Sequence, residues 1–354
     1  MLHACLVLGL AVAGFAAGPT VNPPPDAPTL EAKTVSISWV GDMNFGTRGV
    51  YPPGGTAAIY EHVADHLRAD LQMGNLETVL GTAPLTRCAP AAPPAKNLCY
   101  LFEAPPSSAQ VLKDVGFGVV NLANNHSLDA GETGRAQTKA ALSAAGVAWA
   151  GEPGQITYVT ANGVRIGVIG FGPYPYSPDS RDIPAAKTLV QEAKANAQVV
   201  VVMMHMGAEG TSQEHLRPGH EIFAGYDRGD TVAFSHGVID AGADLVVGSG
   251  PHVVRGLQWY QGHLIAYSLG DFSGYSTFST AGDLGITAIL HVTLDPAGGF
   301  VSGTVTPLVL QGPGIPAVDP GRRALSLMNS LSNADFRGTG GVIGSDGHIG
   351  PPPA

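Results

Sequence analysis

From Val35 to Leu310 the chain alternates strand-length apolar runs with segments of helical period, and few architectures accommodate that order. Runs at 35–40, 70–75, 117–123, 199–204 and 244–247 read as strands, and helices are expected over 59–68, 107–115, 133–145, 185–197 and 231–241. Strand–helix–strand units force parallel neighbours with helices outside the sheet. Hairpins are expected at 157–160 and 165–170, around Ala161-Asn162-Gly163, and they replace crossovers in the last third. There, 257–260 and 263–268 flank Gln261-Gly262, and 285–294 and 301–310 flank a Gly-rich turn. The expected fold class is α/β, with mixed sheets, in one domain over 33–312. The extension 313–354, with a helix over 321–331, is rich in Gly and Pro and is expected to pack loosely and be partly disordered.

Against 28 Asp+Glu the chain sets only 18 Lys+Arg, a net charge of −10 that argues against a nucleic-acid partner. A hydrophobic content of 44% supplies a substantial core and excludes a disordered chain. The apolar run 2–17, followed by small residues and prolines, reads as a signal peptide over 1–18, cleaved near Ala17 or Gly18, with a Pro-rich linker over 19–32. It is short for a membrane span, and the prolines oppose the alternative of a buried first helix. No later segment is long enough to span a bilayer, so the expected destination is secretion or the cell envelope. Cleavage would remove Cys5 and leave Cys88 and Cys99 in the loop 82–103; an exported chain would join them in a disulfide, the alternative being two free thiols.

The polar residues gather where the strands end. In open α/β sheets ligands bind beyond the carboxyl ends of the strands. Here five such ends carry Asp42, Glu77, Asn125-His126, His205 and His252. Each alone has a plain structural explanation as a cap, a turn or a core residue. Five in succession point to a site. Oxygen and imidazole donors without thiolate suit Mn, Fe or Zn, or Mg. Asp42 and Glu77 would bring negative charge, Asn125 a carbonyl oxygen, and His205 and His252 neutral nitrogens. His126 is placed to protonate a leaving group, with Asp129 or Glu209 orienting a histidine. No Gly-x-Ser-x-Gly elbow and no P-loop is present.

These residues resemble the CapA family of capsule or poly-γ-glutamate biosynthesis proteins, which is similar in fold to calcineurin-like metallophosphoesterases. The resemblance covers roughly 33–310 and runs through Gly41-Asp42-Met43-Asn44-Phe45, Gly74-Asn75-Leu76-Glu77-Thr78 and Leu122-Ala123-Asn124-Asn125-His126-Ser127-Leu128-Asp129. It continues through His205-Met206-Gly207-Ala208-Glu209, Pro251-His252-Val253-Val254 and Tyr267-Ser268-Leu269-Gly270-Asp271-Phe272. It implies a four-layer α/β/β/α sandwich, an exported protein, and a part in making, exporting or anchoring an anionic polymer such as poly-γ-glutamate, within an envelope synthesis complex. It also implies a one- or two-metal centre built from Asp42, Glu77, Asn125, His205 and His252. The chain departs from the pattern at Ser249, where family members commonly carry His, and at Asp271, where they carry Asn. Asn44 stands where many metallophosphoesterases place a ligand His.

Two classes of function follow: a metal-dependent hydrolase or transfer enzyme acting on a phosphoester or γ-linked polymer, and a non-catalytic component that binds or anchors the polymer. The insertion 211–230, with His215, His220 and Glu221, reads as a solvated loop rather than a lid. His62 and His66 read as a helix surface, Trp39, Trp149 and Trp259 as core, and Arg48, Arg217 and Arg255 as basic groups that would line a groove.

Overall fold

The structure is a computed structural model that describes residues 33–47, 49–88 and 100–351. The chain divides into two units, Met1–Glu31 and Ala32–Ala354. The signal peptide, most of the linker, Arg48 and Cys99 lie outside the described residues.

The longer strands in chain order are β1 (Val35–Asn44), β2 (Leu71–Leu76), β3 (Phe117–Asn121), β4 (Ala148–Ala150), β5 (Thr157–Ala161), β6 (Val164–Phe171) and β7 (Val199–His205). They continue with β8 (Leu245–Ser249), β9 (Leu257–Tyr260), β10 (His263–Ala266), β11 (Asp271–Gly274), β12 (Ile286–Leu294), β13 (Phe300–Gln311) and β14 (Ile315–Val318). The α-helices are α1 (Ser108–Val115), α2 (Gly131–Ala145), α3 (Ile183–Asn196), α4 (Thr231–Asp240) and α5 (Arg323–Asp335).

One sheet has the order β14-β13-β12-β1-β2-β3-β4, with β11 also beside β1; the other has the order β9-β10-β8-β7-β6-β5. The crossover strands β1 to β4 run parallel, as do β6, β7, β8 and β10, while the hairpin strands are antiparallel. Strand β7 shows why four layers result. Val199, Val201 and Met203 face the core between the sheets, whereas Val200, Val202 and Met204 pack under α3 and α4. A strand buried on both faces needs such a continuous apolar run. Val40, Met43, Val120 and Leu122 likewise join the layer holding Leu112 of α1 and Leu142 of α2. The resulting α/β/β/α sandwich brings the carboxyl ends of β1, β2, β3, β7 and β8 together.

Local chemistry fixes several boundaries. Asp182 and Asp230 cap α3 and α4 by accepting from the backbone N–H of Ala185 and Ala233. Asn162-Gly163 and Gln261-Gly262 make their hairpin turns at positive φ. Trp39 and Trp259 fill the inter-sheet core, and Trp149 packs at the edge of the α1/α2 layer.

Three expectations need correction. The helix expected over 59–68 is two 3-10 turns, Thr56–Tyr60 and Ala64–Leu67. Neither has a side-chain cap, and Ile59, Tyr60, Val63 and Leu67 are anchored in the core, so tertiary contacts override the helical period. His62 and His66 are exposed. The 313–354 extension is ordered where it is described: β14 completes a sheet edge, and Ala324, Met328, Ile343 and Ile349 enter the inter-sheet core. The insertion is not merely solvated, because its Arg228 is buried and Arg255, expected in a groove, is fully buried against Glu221 from it. Arg217 is exposed. Among the described residues no helix is long and apolar enough to cross a membrane.

Candidate metal centre

Asp42 reaches the centre through an irregular strand. The β1 register shifts between Val40 and Asp42, and a Cβ on the intervening Gly41 would lie 1.9 Å from the Gly270 carbonyl oxygen. Only glycine permits that approach, which lets Asp42 N–H donate to the same carbonyl at 3.1 Å. The Asp42 carboxylate accepts from Asn75 Nδ2 at 2.7 Å and from Gly250 N–H at 3.0 Å. Burial would raise its pKa, but the hydrogen bond and charge of His205, together with His252, hold it below the ordinary value.

Glu77 follows β2 and is completely buried, yet among the described residues neither of its carboxylate oxygens has a hydrogen-bond partner. Oε1 lies 3.6 Å from His205 Nε2, 3.8 Å from His126 Nε2 and 4.0 Å from His252 Nε2. Burial, reinforced by Asp42, Asp271 and Glu209, pushes its pKa well above the usual carboxylate range. A buried acid abandoned in this way is costly unless a cation joins it.

His205 ends β7 with both ring nitrogens engaged. Nδ1 lies 3.1 Å from Asn75 Nδ2, 3.2 Å from Ser249 Oγ and 3.3 Å from Asp42 Oδ1. Nε2 lies 2.9 Å from Asn125 Oδ1. Burial lowers its pKa despite Asp42, so the neutral, ligand-competent imidazole prevails. His252 behaves oppositely. Its Nδ1 is 2.6 Å from Asp271 Oδ1, and although burial disfavours the cation, Asp271, Glu77 and Glu209 outweigh it and raise the pKa well above the ordinary value. Burial pushes Asp271 itself up to about 6, against the pull of His252.

His126 stacks on Phe102 at 4.0 Å, and its Nδ1 is 2.7 Å from Asp129 Oδ2. Burial and the Arg87 charge hold it well below the ordinary histidine value. Asp129 accepts from Phe102 N–H and pairs with Arg87 at 2.7 Å, and burial still raises it to about 7. Glu209 divides its oxygens between Arg228 Nη1, at 2.9 Å, and His252 Nε2, at 3.8 Å.

All five expected ligands therefore converge, with His126, Asp129 and Glu209 around them. Asp42, Glu77 and His252 offer ligand atoms within 4.8 Å of one another. The imidazole-to-Glu77 gaps are too long for hydrogen bonds but match pairs of donors sharing a cation through bonds of about 2.0–2.2 Å. The donor set fits a divalent ion, and the orphaned Glu77 carboxylate is the sign of it. Ser249 instead donates its hydroxyl to the Met204 carbonyl with Oγ 3.2 Å from His205 Nδ1, and Asn44 turns its amide oxygen onto Gly46 N–H.

Sequence reasoning missed an amide relay and two cations. Asn75 Oδ1 accepts from Asn121 Nδ2 and Asn124 Nδ2, tying β2, β3 and the following loop to Asp42. Tyr174 OH donates to Asn125 Oδ1 at 3.4 Å. Arg87 and Arg228 flank the centre. An Asn inside an apolar strand was the available signal for Asn75 and Asn121, while nothing in the polar insertion singled out Arg228.

The four-layer sandwich thus gathers oxygen and imidazole donors at the ends of its parallel strands. The model of the bacterial capsule synthesis protein family PGA_cap matches residues 36–275, and the chain belongs to that family. It is 30% identical over 273 residues to the PGA biosynthesis protein CapA of Bacillus subtilis, covering 70% of this chain and 65% of that protein. It is 29% identical to the capsule biosynthesis protein CapA of Bacillus anthracis, covering 68% of this chain and 60% of the other. The chain thus spans less than two thirds of these relatives. Solved structures similar to it include a hypothetical protein from Thermus thermophilus, with TM-score 0.47, 17% identity, and coverage of 77% of this chain and 98% of that one. A putative 5'-nucleotidase from Staphylococcus aureus in complex with alpha-ketoglutarate gives TM-score 0.43 and 12% identity, over 85% of this chain and 58% of the other.

Proposed function

We propose that the chain is an exported, metal-dependent hydrolase of capsule synthesis, acting on a γ-linked glutamate polymer or a phosphoester at the cell envelope. The observation that carries this reading is Glu77, a buried carboxylate without hydrogen bonds facing three imidazole Nε2 atoms. Asp42, Glu77, Asn125, His205 and His252 would hold one or two ions of Mn, Fe, Zn or Mg. When bound, the ion supplies an acidified water and polarises the oxygen it touches. The amide relay through Asn75 fixes Asp42 and the His205 ring. An ionised Asp129 accepts from His126 Nδ1–H and leaves the bare Nε2 facing Glu77, where it would take a proton from the attacking water and then hand that proton to the leaving group. Phe102 holds that ring in plane and excludes water from one face. Export accords with the apolar N-terminal run and with a disulfide at Cys88, for which Cys99 is the proposed partner.

The second reading, a non-catalytic polymer-binding component, is favoured by Ser249, whose hydroxyl is spent on His205 and a carbonyl instead of replacing a ligand imidazole. Incubation of the metal-supplemented full chain with poly-γ-glutamate and with a panel of phosphomonoesters separates the two. Hydrolysis that disappears in both Asp42→Asn and His126→Gln supports the enzyme. Polymer binding without cleavage, unchanged in those variants, supports the second reading and overturns the first.

A further inference from the structure

Two arginines flank the centre, and they are not equivalent. Arg87 is saturated: Nε pairs with Asp129 at 2.7 Å, Nη1 donates to the Asn125 carbonyl at 3.0 Å, and Nη2 donates to the Tyr100 carbonyl. Arg228 is only 5% exposed and is far less occupied. Nη1 pairs with Glu209 at 2.9 Å, Nη2 makes one long contact of 3.5 Å to the Gly250 carbonyl, and Nε has no hydrogen-bond partner among the described residues. Its guanidinium lies 5.8 Å over the Tyr174 ring.

A buried guanidinium whose Nε is unpartnered is under-satisfied for its position. The Nε–Nη2 edge is the planar fork that matches a carboxylate or phosphate with two parallel hydrogen bonds. It borders the centre: a Cβ on Gly250 would lie 3.3 Å from Arg228 Nη2 and 3.3 Å from the His205 ring. The fork is also held in place. Arg228 N–H donates to the Glu221 carbonyl, and the Glu221 carboxylate is clamped by Arg255 at 2.6 and 3.0 Å, by Thr231 Oγ1 and by Ala208 N–H. The surrounding acids Asp42, Glu77, Asp129, Glu209 and Asp271 would otherwise repel an anionic substrate.

We propose that Arg228 is a specificity-determining residue that receives a second oxyanion of the substrate through its Nε–Nη2 edge, while the reacting group lies at the ligand cluster. The assignment rests on the metal-centred reading above. The occupant is a carboxylate or phosphate belonging to a substrate with at least two acidic groups; a neutral ester would leave the edge unused.

The test is calorimetric titration of the metal-loaded full chain with γ-glutamylglutamate and, separately, with inorganic phosphate, beside Arg228→Gln and Arg228→Lys, with metal content measured on every sample. Binding of the dipeptide alone identifies the carboxylate source, and binding of phosphate alone the phosphoester source. Arg228→Gln is expected to weaken that binding by about tenfold or more with metal content unchanged. Arg228→Lys recovers only part of it, because an ammonium lacks the planar fork. Equal affinity in the Gln variant, wild-type affinity in the Lys variant, or binding of neither probe by the metal-loaded wild type overturns the assignment alone. The Lys variant decides the matter if the Gln variant does not fold. A wild type that takes up no metal overturns the metal-centred reading and this assignment with it.

Discussion

Glu77 and Glu221 are two glutamates withdrawn from water near the same centre, and their surroundings are opposite. Glu221 accepts two hydrogen bonds from the Arg255 guanidinium, one from Thr231 Oγ1 and one from Ala208 N–H, so that its pKa is lowered although burial alone would raise it. Glu77 receives no hydrogen bond from the described residues, and burial with neighbouring acids drives its pKa well above the ordinary range. The fold satisfies an acid when the acid holds the structure together. An acid left unsatisfied at the meeting point of five strand ends is kept for something that binds there.

That contrast breaks most visibly at Glu221. Glu221→Gln leaves the Arg255 guanidinium buried without its counter-charge, and chemical denaturation should show a loss of about 3–5 kcal/mol. A loss under about 1 kcal/mol would mean that the ion pair is not the lock inferred for the insertion.

The next effect is on pH. Glu77 has a raised pKa in the metal-free fold, so it works against that fold as pH rises from its unfolded value through its folded one. Metal binding requires the same proton to leave, so metal affinity rises over that range. The gap in stability between metal-loaded and chelated protein should therefore widen with pH, by up to about 1.4 kcal/mol per unit. Melting curves at several pH values check this; a gap that narrows with rising pH contradicts it.

Smaller still is Asp244→Asn. Asp244 accepts from Val200 N–H at 2.7 Å and pairs with Lys194 at 2.8 Å, so the amide keeps an acceptor and loses only a partly exposed ion pair, at about 1 kcal/mol by denaturation. The smallest change is expected at Glu77→Gln in chelated protein, where stability should hold or rise slightly, because a neutral amide replaces an unpaired acid.

The site was largely legible because β1, β2, β3, β7 and β8 are apolar runs that stop at a polar residue, and parallel strands deliver such ends to one place. Asp42, Glu77, Asn125, His205 and His252 were accessible for that reason. What escaped had no local signature. Asn75 and Asn121 are strand residues whose role exists only because β2 and β3 are adjacent. Arg228 sits in a polar insertion that resembles any solvated loop until Glu221 finds Arg255 across 34 residues. The turns at 56–67 show a helical spacing of apolar residues, but without caps that spacing reports core anchoring rather than a helix. The Gly- and Pro-rich C-terminal segment hid Ile343 and Ile349, two isolated apolar residues that the gap between the sheets accepts.

On this reading the unpartnered Glu77 carboxylate marks the proposed metal centre. Elemental mass spectrometry of the natively purified full chain beside Glu77→Gln tests it directly. About one or two equivalents of a divalent transition metal or Mg are expected in the wild type, and most of it is lost in the variant with unchanged circular dichroism. A folded wild type without metal, even after supplementation, or a variant that retains the full complement, would contradict it.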